Sequence, residues 1–495
     1  MTRPFALAFV LLLAAGAGVP IQATGADDAA IVHALNRLTY GPRPGEVDRV
    51  KAMGLQKWIE LQLSPGRIDN SALEAKLQRL DTLTLDSETI QREYAAPAMA
   101  ERRLRRLENP DQPPPDPAMM PRGQASEAQR KARQVIADIE EAKLLRAVYS
   151  DRQLEEVLVD FWFNHFNVFA GKGITRNFIS EYEREAIRPY VLGNFRDMLG
   201  ATAKSPAMLF YLDNWLSSGT QGALGALGAL GASGAGAPVR GAGAPGAGPR
   251  RSNGINENYA RELLELHTLG VDGGYTQDDI VNVAKAFTGW TIERPAARFR
   301  FAPGRHDRSE KVVLGKTIRP GGMDEGERVL DIVAAHPSTA RHIATKLAIR
   351  FVSDNPPAAL IDRAAATFTA TKGDLREVVR VILTSPEFSA SDAYRVKVKT
   401  PLEFVASALR ATGAEVRTAL PLARTLRDMG MPLYGCQPPT GYDETAASWV
   451  SAGALVSRMN FAVDLSKNAV RGVRVPLSAE QTLAMKIGAP EFQRQ

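Results

Sequence analysis

A long succession of helix-forming segments, several with recognisable caps, is the feature that most limits how this chain can fold. The segment 126–149 is rich in Ala, Glu, Lys and Arg, and the segment 154–166 is apolar on more than one face, as expected of a buried helix. Gly270 and Gly289 stand where a helix C′ glycine belongs, and residues 276–279 match a capping box. Further helices are predicted over 178–187, 195–203, 257–269, 277–288, 325–335, 339–352, 358–371, 375–384, 402–411 and 449–465. The pattern predicts a mainly α-helical protein.

One stretch departs from this helical pattern. Residues 298–301 alternate between arginine and phenylalanine, and residues 311–314 contain two adjacent valines. Alternation with a period of two and β-branched side chains both indicate strands. We therefore expect a small β-hairpin near 298–315, with a loop between its two arms.

Two low-complexity stretches punctuate the chain. Residues 109–122 contain six prolines, which prevent a helix and favour an extended linker. Residues 219–248 consist largely of glycine and alanine, which offer little side chain to bury, so we expect a disordered insertion. The predicted organisation is a signal peptide over 1–23, an N-terminal helical segment over 24–108, the proline-rich linker, a main helical domain over 123–470 that carries the insertion, and a C-terminal tail over 471–495.

The first residues have the form of an export signal. Arg3 precedes an apolar run over 5–19, and small residues follow as far as Ala26. This order is typical of a secretory signal peptide, and the run is too short to span a bilayer comfortably. We therefore expect a periplasmic or secreted protein without a transmembrane span. An uncleaved anchor is the alternative.

Charge and cysteine content exclude several classes of protein. Lysine and arginine total 61 against 55 acidic residues, and the densest basic run, 102–106, lies between Glu101 and Glu108. A nucleic-acid binder usually has a basic stripe and a recognisable reading module. Neither is present, so we expect no nucleic-acid binding. Cys436 is the only cysteine, which excludes an internal disulfide and zinc sites built on paired cysteines.

Several blocks of sequence, taken in order, resemble a known family. They are LNRLTYGPRPG at 35–45, FWFNHF at 161–166, IRPYVLGNFRD at 187–197, NENYARELLELHTLG at 256–270, HPSTA at 336–340 and GMPLYGCQPP at 430–439. The chain resembles the bacterial "domain of unknown function 1800" family over nearly its whole mature length. In one departure, Gly441-Tyr442 stands where relatives often have Gly-Trp.

The resemblance implies an exported bacterial protein, and it brings no established activity with it. It also implies a candidate partner, since genes of this family often lie beside those of another exported family. That second family, "domain of unknown function 1501", is similar to sulfatases and alkaline phosphatases.

The block over 256–270 places polar side chains on two faces of one predicted helix. Glu257, Arg261 and Glu265 are spaced by four, so Arg261 can pair with either glutamate. Asn258 and Glu262 share another face, where Asn258 can orient the carboxylate. Two interpretations stay open. The polar residues either line a cleft or form an interior network that holds helices together.

Two histidines are further candidates. His165 lies in an apolar helix beside Asn164, and it is either a satisfied core residue or a base or ligand, because an ordinary histidine pKa of about 6.5 suits proton transfer. His306 and Asp307 lie in the predicted hairpin loop, where polar residues on a rigid scaffold are often functional. The alternative is an exposed turn in which Asp307 binds its own backbone.

Two functional hypotheses follow. In the first, the protein is a hydrolase-like enzyme that acts by general acid–base chemistry on an envelope or extracellular substrate. In the second, it is a non-catalytic scaffold or binding partner of the sulfatase- or phosphatase-like exported protein. Familiar signatures such as the phosphate loop, Gly-x-Ser-x-Gly and His-Glu-x-x-His are absent from the sequence.

The enzyme hypothesis requires distant residues to converge on one cleft. Two histidines and a carboxylate could also hold a divalent metal of unknown identity. The predicted catalytic residues are His165, Arg261, Glu262, His306 and Asp307, and the predicted supporting residues are Asn164, Glu257 and Asn258.

Overall fold

The computed structural model describes residues 25–108, 125–219, 254–476 and 483–495. The predictions for 1–23, for 109–122 and for all but the first residue of 219–248 lie outside this part of the chain. The described residues are mainly helical, with small antiparallel strand pairs, which confirms the predicted fold class. None of the described helices is both long and apolar enough to cross a membrane.

In the first half of the described chain, several helices pack around the buried helix Gln153–His165, which carries the fully buried Trp162 near its C-terminal end. Two stretches, Ile90–Ala95 and Tyr182–Ile187, have π-helical geometry and continue a preceding α-helical turn. The α-helices are Gly25–Leu38, Glu46–Met53, Leu55–Gln62, Ser71–Leu77, Ser87–Thr89, Ala96–Glu108, Glu127–Tyr149, Gln153–His165, Ile179–Glu181, Phe195–Lys204 and Pro206–Tyr211.

The second half continues the helical architecture. Asn258–Glu262 is extended by the π-helical stretch Leu263–Thr268, so the predicted helix over 257–269 is present in two geometries. The remaining α-helices are Gln277–Ala286, Met323–Ala334, Pro337–Phe351, Ala358–Ala370, Leu375–Leu383, Pro401–Thr412, Leu420–Asp428, Ala452–Ser466 and Leu483–Gly488.

The predicted caps explain why these helices begin and end where they do. The Thr276 hydroxyl accepts from the backbone N–H of Asp279, and the Asp279 carboxylate accepts from that of Thr276, which is the predicted capping box. Gly270 and Gly289 have φ angles of +86° and +83°, the left-handed conformation predicted for glycine after a helix.

The strand pairing differs from the prediction. β1 (Trp290–Glu293) pairs with β2 (Arg298–Phe301), and β3 (Lys311–Val313) pairs with β4 (Lys316–Ile318). The predicted arms therefore belong to two hairpins and do not pair with each other. Leu314 and Gly315, both at positive φ, form the two-residue turn that joins β3 and β4, and so tight a turn selects the next segment as partner. A third pair joins β5 (Glu415–Val416) to β6 (Val473–Arg474).

Residues near both ends of the described chain form hydrogen bonds with the region 352–399. Arg37, in the first helix, donates to the carbonyl oxygens of Val352 and Ala393. The backbone N–H of Lys399 donates to the carbonyl of Gln493, and residues 398 and 494 form an isolated β-bridge. The predicted N-terminal segment therefore shares its core with the main helical domain.

Candidate functional site

His165 lies in the protein interior, with 2% of its surface exposed. Its Nε2 donates to the carbonyl oxygen of His267 at 3.0 Å, and the rings of His267 and His342 lie 6.2 and 6.1 Å from its own, centroid to centroid. Burial lowers the pKa of His165 well below its ordinary value, and nearby Lys346 lowers it further. This is the environment of a neutral core histidine.

His306 and Asp307 lie in a second buried group, around a salt bridge between Lys311 and Glu325. His306 Nδ1 is 2.8 Å from the carbonyl oxygen of Thr288, and Nε2 is 3.0 Å from Oε1 of Glu325. Lys311 Nζ is 2.5 Å from Oε2 of Glu325, and both of these side chains are fully buried. The group ties the loop after β2 to the helix Met323–Ala334.

Asp307 is held by its own loop. Its Oδ1 accepts from the backbone N–H of Ser309 at 3.0 Å, and Lys311 Nζ lies 3.4 Å away. Burial opposes ionisation, but the bonds from Ser309 and the ammonium of Lys311 outweigh it, so the pKa of Asp307 is lowered. The local turn predicted for Asp307 is present, although it is buried instead of exposed.

Arg261 and Glu262 form a third group, nearer the surface. Nη2 of Arg261 lies 3.4 Å from Oε2 of Glu257, which confirms the predicted pairing of Arg261 with Glu257. The same nitrogen also donates to the side chain of Gln277. The Arg261 side chain is 43% exposed. Glu262 is half-buried, and burial together with the charge of Glu265 raises the pKa of its carboxyl.

Asn258 does not orient Glu262 as predicted. It lies exposed at the start of its helix, where its backbone N–H donates to the side chain of Asn256. No hydrogen bond joins the side chains of Asn258 and Glu262 in the part of the chain that the structure describes.

The predicted catalytic residues thus occupy three groups, around His165, around Glu262 and around His306. Within the described ranges, no side-chain hydrogen bond or salt bridge connects one group to another, so these contacts lend no support to a single shared cleft. Among the same residues, no three His, Cys, Asp or Glu side chains are arranged to hold a metal ion. The catalytic roles assigned from the sequence stay predictions.

A polar cleft lies beneath residues 431–444. Asp160 and Asn164 line it from one helix, as their spacing of four predicts, and Arg350 lines it from another. Its volume of about 30 Å³ is enough for a water molecule. The other lining residues are Lys143, Phe163, Asn167, Thr400, Met431, Leu433, Tyr434, Cys436, Tyr442, Asp443 and Glu444.

Asn164 holds this covering segment in place. Its Oδ1 accepts from the backbone N–H of Tyr442 at 2.6 Å, and its Nδ2 donates to the Tyr442 carbonyl at 2.7 Å. Gly441 has a φ of +73°, and a Cβ there would lie 2.5 Å from Oδ1 of Asn164. Only glycine lets the backbone approach so closely. Asn164 therefore supports the segment 431–444, and no hydrogen bond links it to His165 among the described residues.

Two of the three carboxylates that line the cleft, Asp160 and Glu444, have different surroundings. Oδ1 of Asp160 lies 2.6 Å from Nζ of Lys143 in a salt bridge. Oε2 of Glu444 has no hydrogen-bond partner among the described residues, and its nearest cation is Arg350 at 3.6 Å, which also pairs with Glu403. Burial raises the pKa of Glu444, and the attraction of Arg350 reverses this only in part.

An outer groove of about 320 Å³ adjoins the polar cleft and shares Tyr442, Asp443 and Glu444 with it. Lys346 lines the groove from the helix Pro337–Phe351, and burial lowers the pKa of its amine although Glu444 and Asp443 oppose this. Glu444 therefore stands at the boundary between a water-sized inner space and an open outer one. The rest of the groove is lined by Ile349, Thr440, Gly441 and Thr445.

Sequence reasoning did not single out Asp160 or Glu444 as site residues. Asp160 was visible only as a neighbour of Asn164 on one helix face, and Glu444 follows a block rich in glycine and proline that has no helical period. Such a block indicates an irregular segment, and polar residues of irregular segments are often functional. That signal could have identified Asp443 and Glu444.

Comparisons with known proteins agree with the resemblance seen in the sequence. The family model described as "Protein of unknown function (DUF1800)" matches residues 33–493. No curated protein and no solved structure matches the chain. With nearly its whole length covered by that family model, the chain belongs to the DUF1800 family.

Proposed function

We propose that this protein is an exported hydrolase-like enzyme that cleaves an envelope or extracellular substrate by general acid–base chemistry. The reaction takes place where the polar cleft meets the outer groove. One observation carries the proposal: Asp160 and Glu444 line the same water-sized cleft, Asp160 in a close salt bridge and Glu444 with one oxygen that has no hydrogen-bond partner among the described residues. Two carboxylates in different surroundings are a common acid–base arrangement.

The two carboxylates take complementary roles. Asp160, in its salt bridge with Lys143, accepts a proton from a water molecule in the cleft, and the water oxygen attacks the electrophilic atom of the substrate. Glu444, whose raised pKa favours the protonated form, gives its proton to the leaving oxygen or nitrogen as the scissile bond breaks. Solvent then returns a proton to Glu444 and removes one from Asp160, so the net change is the addition of water.

The surrounding residues hold this arrangement. The paired hydrogen bonds of Asn164 with the Tyr442 backbone fix the segment that carries Glu444. Asn167 adds two more, by donating to the carbonyls of Cys436 and Pro438. The outer groove, with Lys346 on one wall, is wide enough to receive part of a polymeric substrate.

The test uses three substrates: purified bacterial cell-wall polymer, a neutral polysaccharide and casein. Release of reducing ends, carboxyl groups and amino groups identifies the bond that is cleaved. We expect Asp160→Asn and Glu444→Gln to lower kcat by about 10²–10⁴-fold while the protein stays folded. Glu74→Gln, exposed on the helix Ser71–Leu77, is the control and should keep wild-type turnover.

The variant Glu262→Gln tests whether the catalytic acid lies at the site predicted from the sequence instead of in the cleft. If Glu262→Gln abolishes turnover while Glu444→Gln does not, the acid lies at Glu262 and the cleft proposal is wrong. Wild-type turnover in folded Asp160→Asn and Glu444→Gln would contradict it equally.

A second candidate function is the non-catalytic scaffold for the sulfatase- or phosphatase-like exported protein. One observation favours it. Leu455, Met459 and Val463 are spaced by four on the helix Ala452–Ser466 and are all exposed, Met459 by 57%. An exposed apolar stripe of this kind often marks a protein-binding surface.

Co-purification from the native host with that exported protein tests the scaffold. We expect Met459→Asp to abolish co-purification, and Asn460→Asp, beside it, to leave it intact. Co-purification that survives Met459→Asp would exclude this stripe as the binding surface.

A further inference from the structure

A second cavity, of about 430 Å³, opens between the helices Phe195–Lys204, Met323–Ala334, Pro337–Phe351 and Ala358–Ala370. It shares no lining residue with the polar cleft or the outer groove. Phe195 and Phe368 line it, with their ring centroids 5.6 Å apart in an edge-to-face arrangement. Ala334 and Ala340 add further apolar surface. A concave apolar pocket of this size matches the volumes of small-molecule sites.

The rim of this cavity presents hydrogen-bond donors. His336 Nδ1 accepts from the backbone N–H of Ser338 at 3.2 Å, where it caps the helix Pro337–Phe351. The neutral ring therefore carries its proton on Nε2, which is left as a donor. Lys372 supplies an ammonium group at the same rim.

The carboxylates near the rim, those of Asp331 and Glu327, already form salt bridges with Arg196. Arg196 Nε lies 2.7 Å from Oδ1 of Asp331, and Arg196 NH2 lies 2.8 Å from Oε2 of Glu327. Lys372 Nζ, by contrast, has no hydrogen-bond or salt-bridge partner among the described residues. Asn194 donates to the Lys372 carbonyl at 2.9 Å, which anchors the backbone of Lys372 beside the cavity. The donors that remain for a ligand at the rim, on Lys372 and His336, therefore favour an anionic group.

We propose that this cavity binds a small monocarboxylate with an apolar body, its ring or chain against the wall formed by Phe195 and Phe368 and its carboxylate towards Lys372 and His336. The apolar surface matches the body of such a ligand, and the free donors match its charged end. The site is separate from the proposed hydrolytic site and does not rest on it.

The test is calorimetric titration of the full chain with 3-phenylpropanoate and with its neutral amide. We expect saturable binding of the carboxylate and weaker binding of the amide. Lys372→Gln should weaken carboxylate binding about fivefold, the upper range for an exposed ion pair, and leave amide binding unchanged. Lys467→Gln, on an exposed helix end elsewhere, should change neither.

A second variant tests the location. Ala335 is exposed and lines the cavity, so Ala335→Trp fills it without disturbing the core and should abolish binding of both probes. Ala370→Trp, exposed but outside the lining, is the matched control and should bind like the wild type. No saturable carboxylate binding, equal binding of acid and amide, or undiminished binding to Ala335→Trp would each overturn the proposal.

Discussion

At the scale of single residues, the close approach of Gly441 to Asn164 decides the shape of the polar cleft. Gly441→Ala combines a positive φ with a Cβ placed 2.5 Å from Oδ1 of Asn164. We expect it to lower the free energy of unfolding by about 3 kcal/mol, measured by denaturant unfolding, because strain and overlap add.

Gly430→Ala separates the two effects. Gly430 has a φ of +89°, and a Cβ there would meet no atom within 4 Å. Backbone strain is therefore the only destabilising effect expected in this variant. We expect it to cost about 1 kcal/mol. Equal losses in the two variants would show that the contact with Asn164 contributes nothing.

The degree of burial determines how much each charged residue contributes to the free energy of unfolding. Glu325 forms a fully buried salt bridge with Lys311, and its Oε1 lies 3.0 Å from Nε2 of His306. Glu325→Gln leaves the buried Lys311 ammonium with only Asp307, at 3.4 Å, as a partner carboxylate and should cost about 3 kcal/mol in denaturant unfolding. Glu257→Gln removes a half-exposed partner of Arg261 and should cost less than about 1 kcal/mol. A larger loss from Glu257→Gln than from Glu325→Gln would contradict this order.

At the scale of elements, three helical segments meet at His165, His267 and His342. Burial lowers the pKa of His267 to about 3 and that of His342 to about 4. Since an unfolded histidine titrates at about 6.5, these groups favour the folded state fully above that pH. The stability they provide is lost as the pH falls from about 6.5 towards their folded pKa values.

We therefore expect the free energy of unfolding to fall by about 1.6 kcal/mol per buried histidine between pH 6.5 and pH 5. His342→Gln keeps a donor for the Leu266 carbonyl but removes one titrating group, so its stability should depend less steeply on pH. Urea unfolding at several pH values measures the slope. An unchanged slope in His342→Gln would rule out this residue as a source of the acid sensitivity.

The elements also show what the sequence can predict. Helix positions follow from local periodicity and caps, and Gln277–Ala286 begins at the predicted capping box. Strand pairing depends on which segments meet, and β1 was hidden because its alternating segment is only four residues long and comes soon after a predicted helix. The surroundings of His306 and Glu444 could not be predicted either. They are supplied by residues as distant as Glu325 and Arg350, which only the folded backbone brings near.

At the scale of the whole molecule, residues 483–495 complete a buried charged region. Gln495 donates to Glu403 at 2.8 Å, and Arg458, itself buried, donates to Gln493 at 3.0 Å. Deletion of 483–495 removes one hydrogen-bond partner from each of the buried groups Glu403 and Arg458 and should cost at least about 3 kcal/mol in the free energy of unfolding. Thermal unfolding of the shortened chain measures the effect. A transition at the wild-type temperature would show that this segment is dispensable.

The bonds of Arg37 have a consequence for the order in which this protein can fold. Its guanidinium reaches carbonyls 315 and 356 residues further along the chain. A core closed by contacts of such high sequence separation forms slowly, because the chain entropy of a long loop is lost before the contact forms. During synthesis Arg37 lacks these two acceptors until most of the polypeptide has emerged from the ribosome. The core around Arg37 is therefore incomplete over most of the chain's production, and a chain whose core is incomplete can still be threaded through a narrow pore.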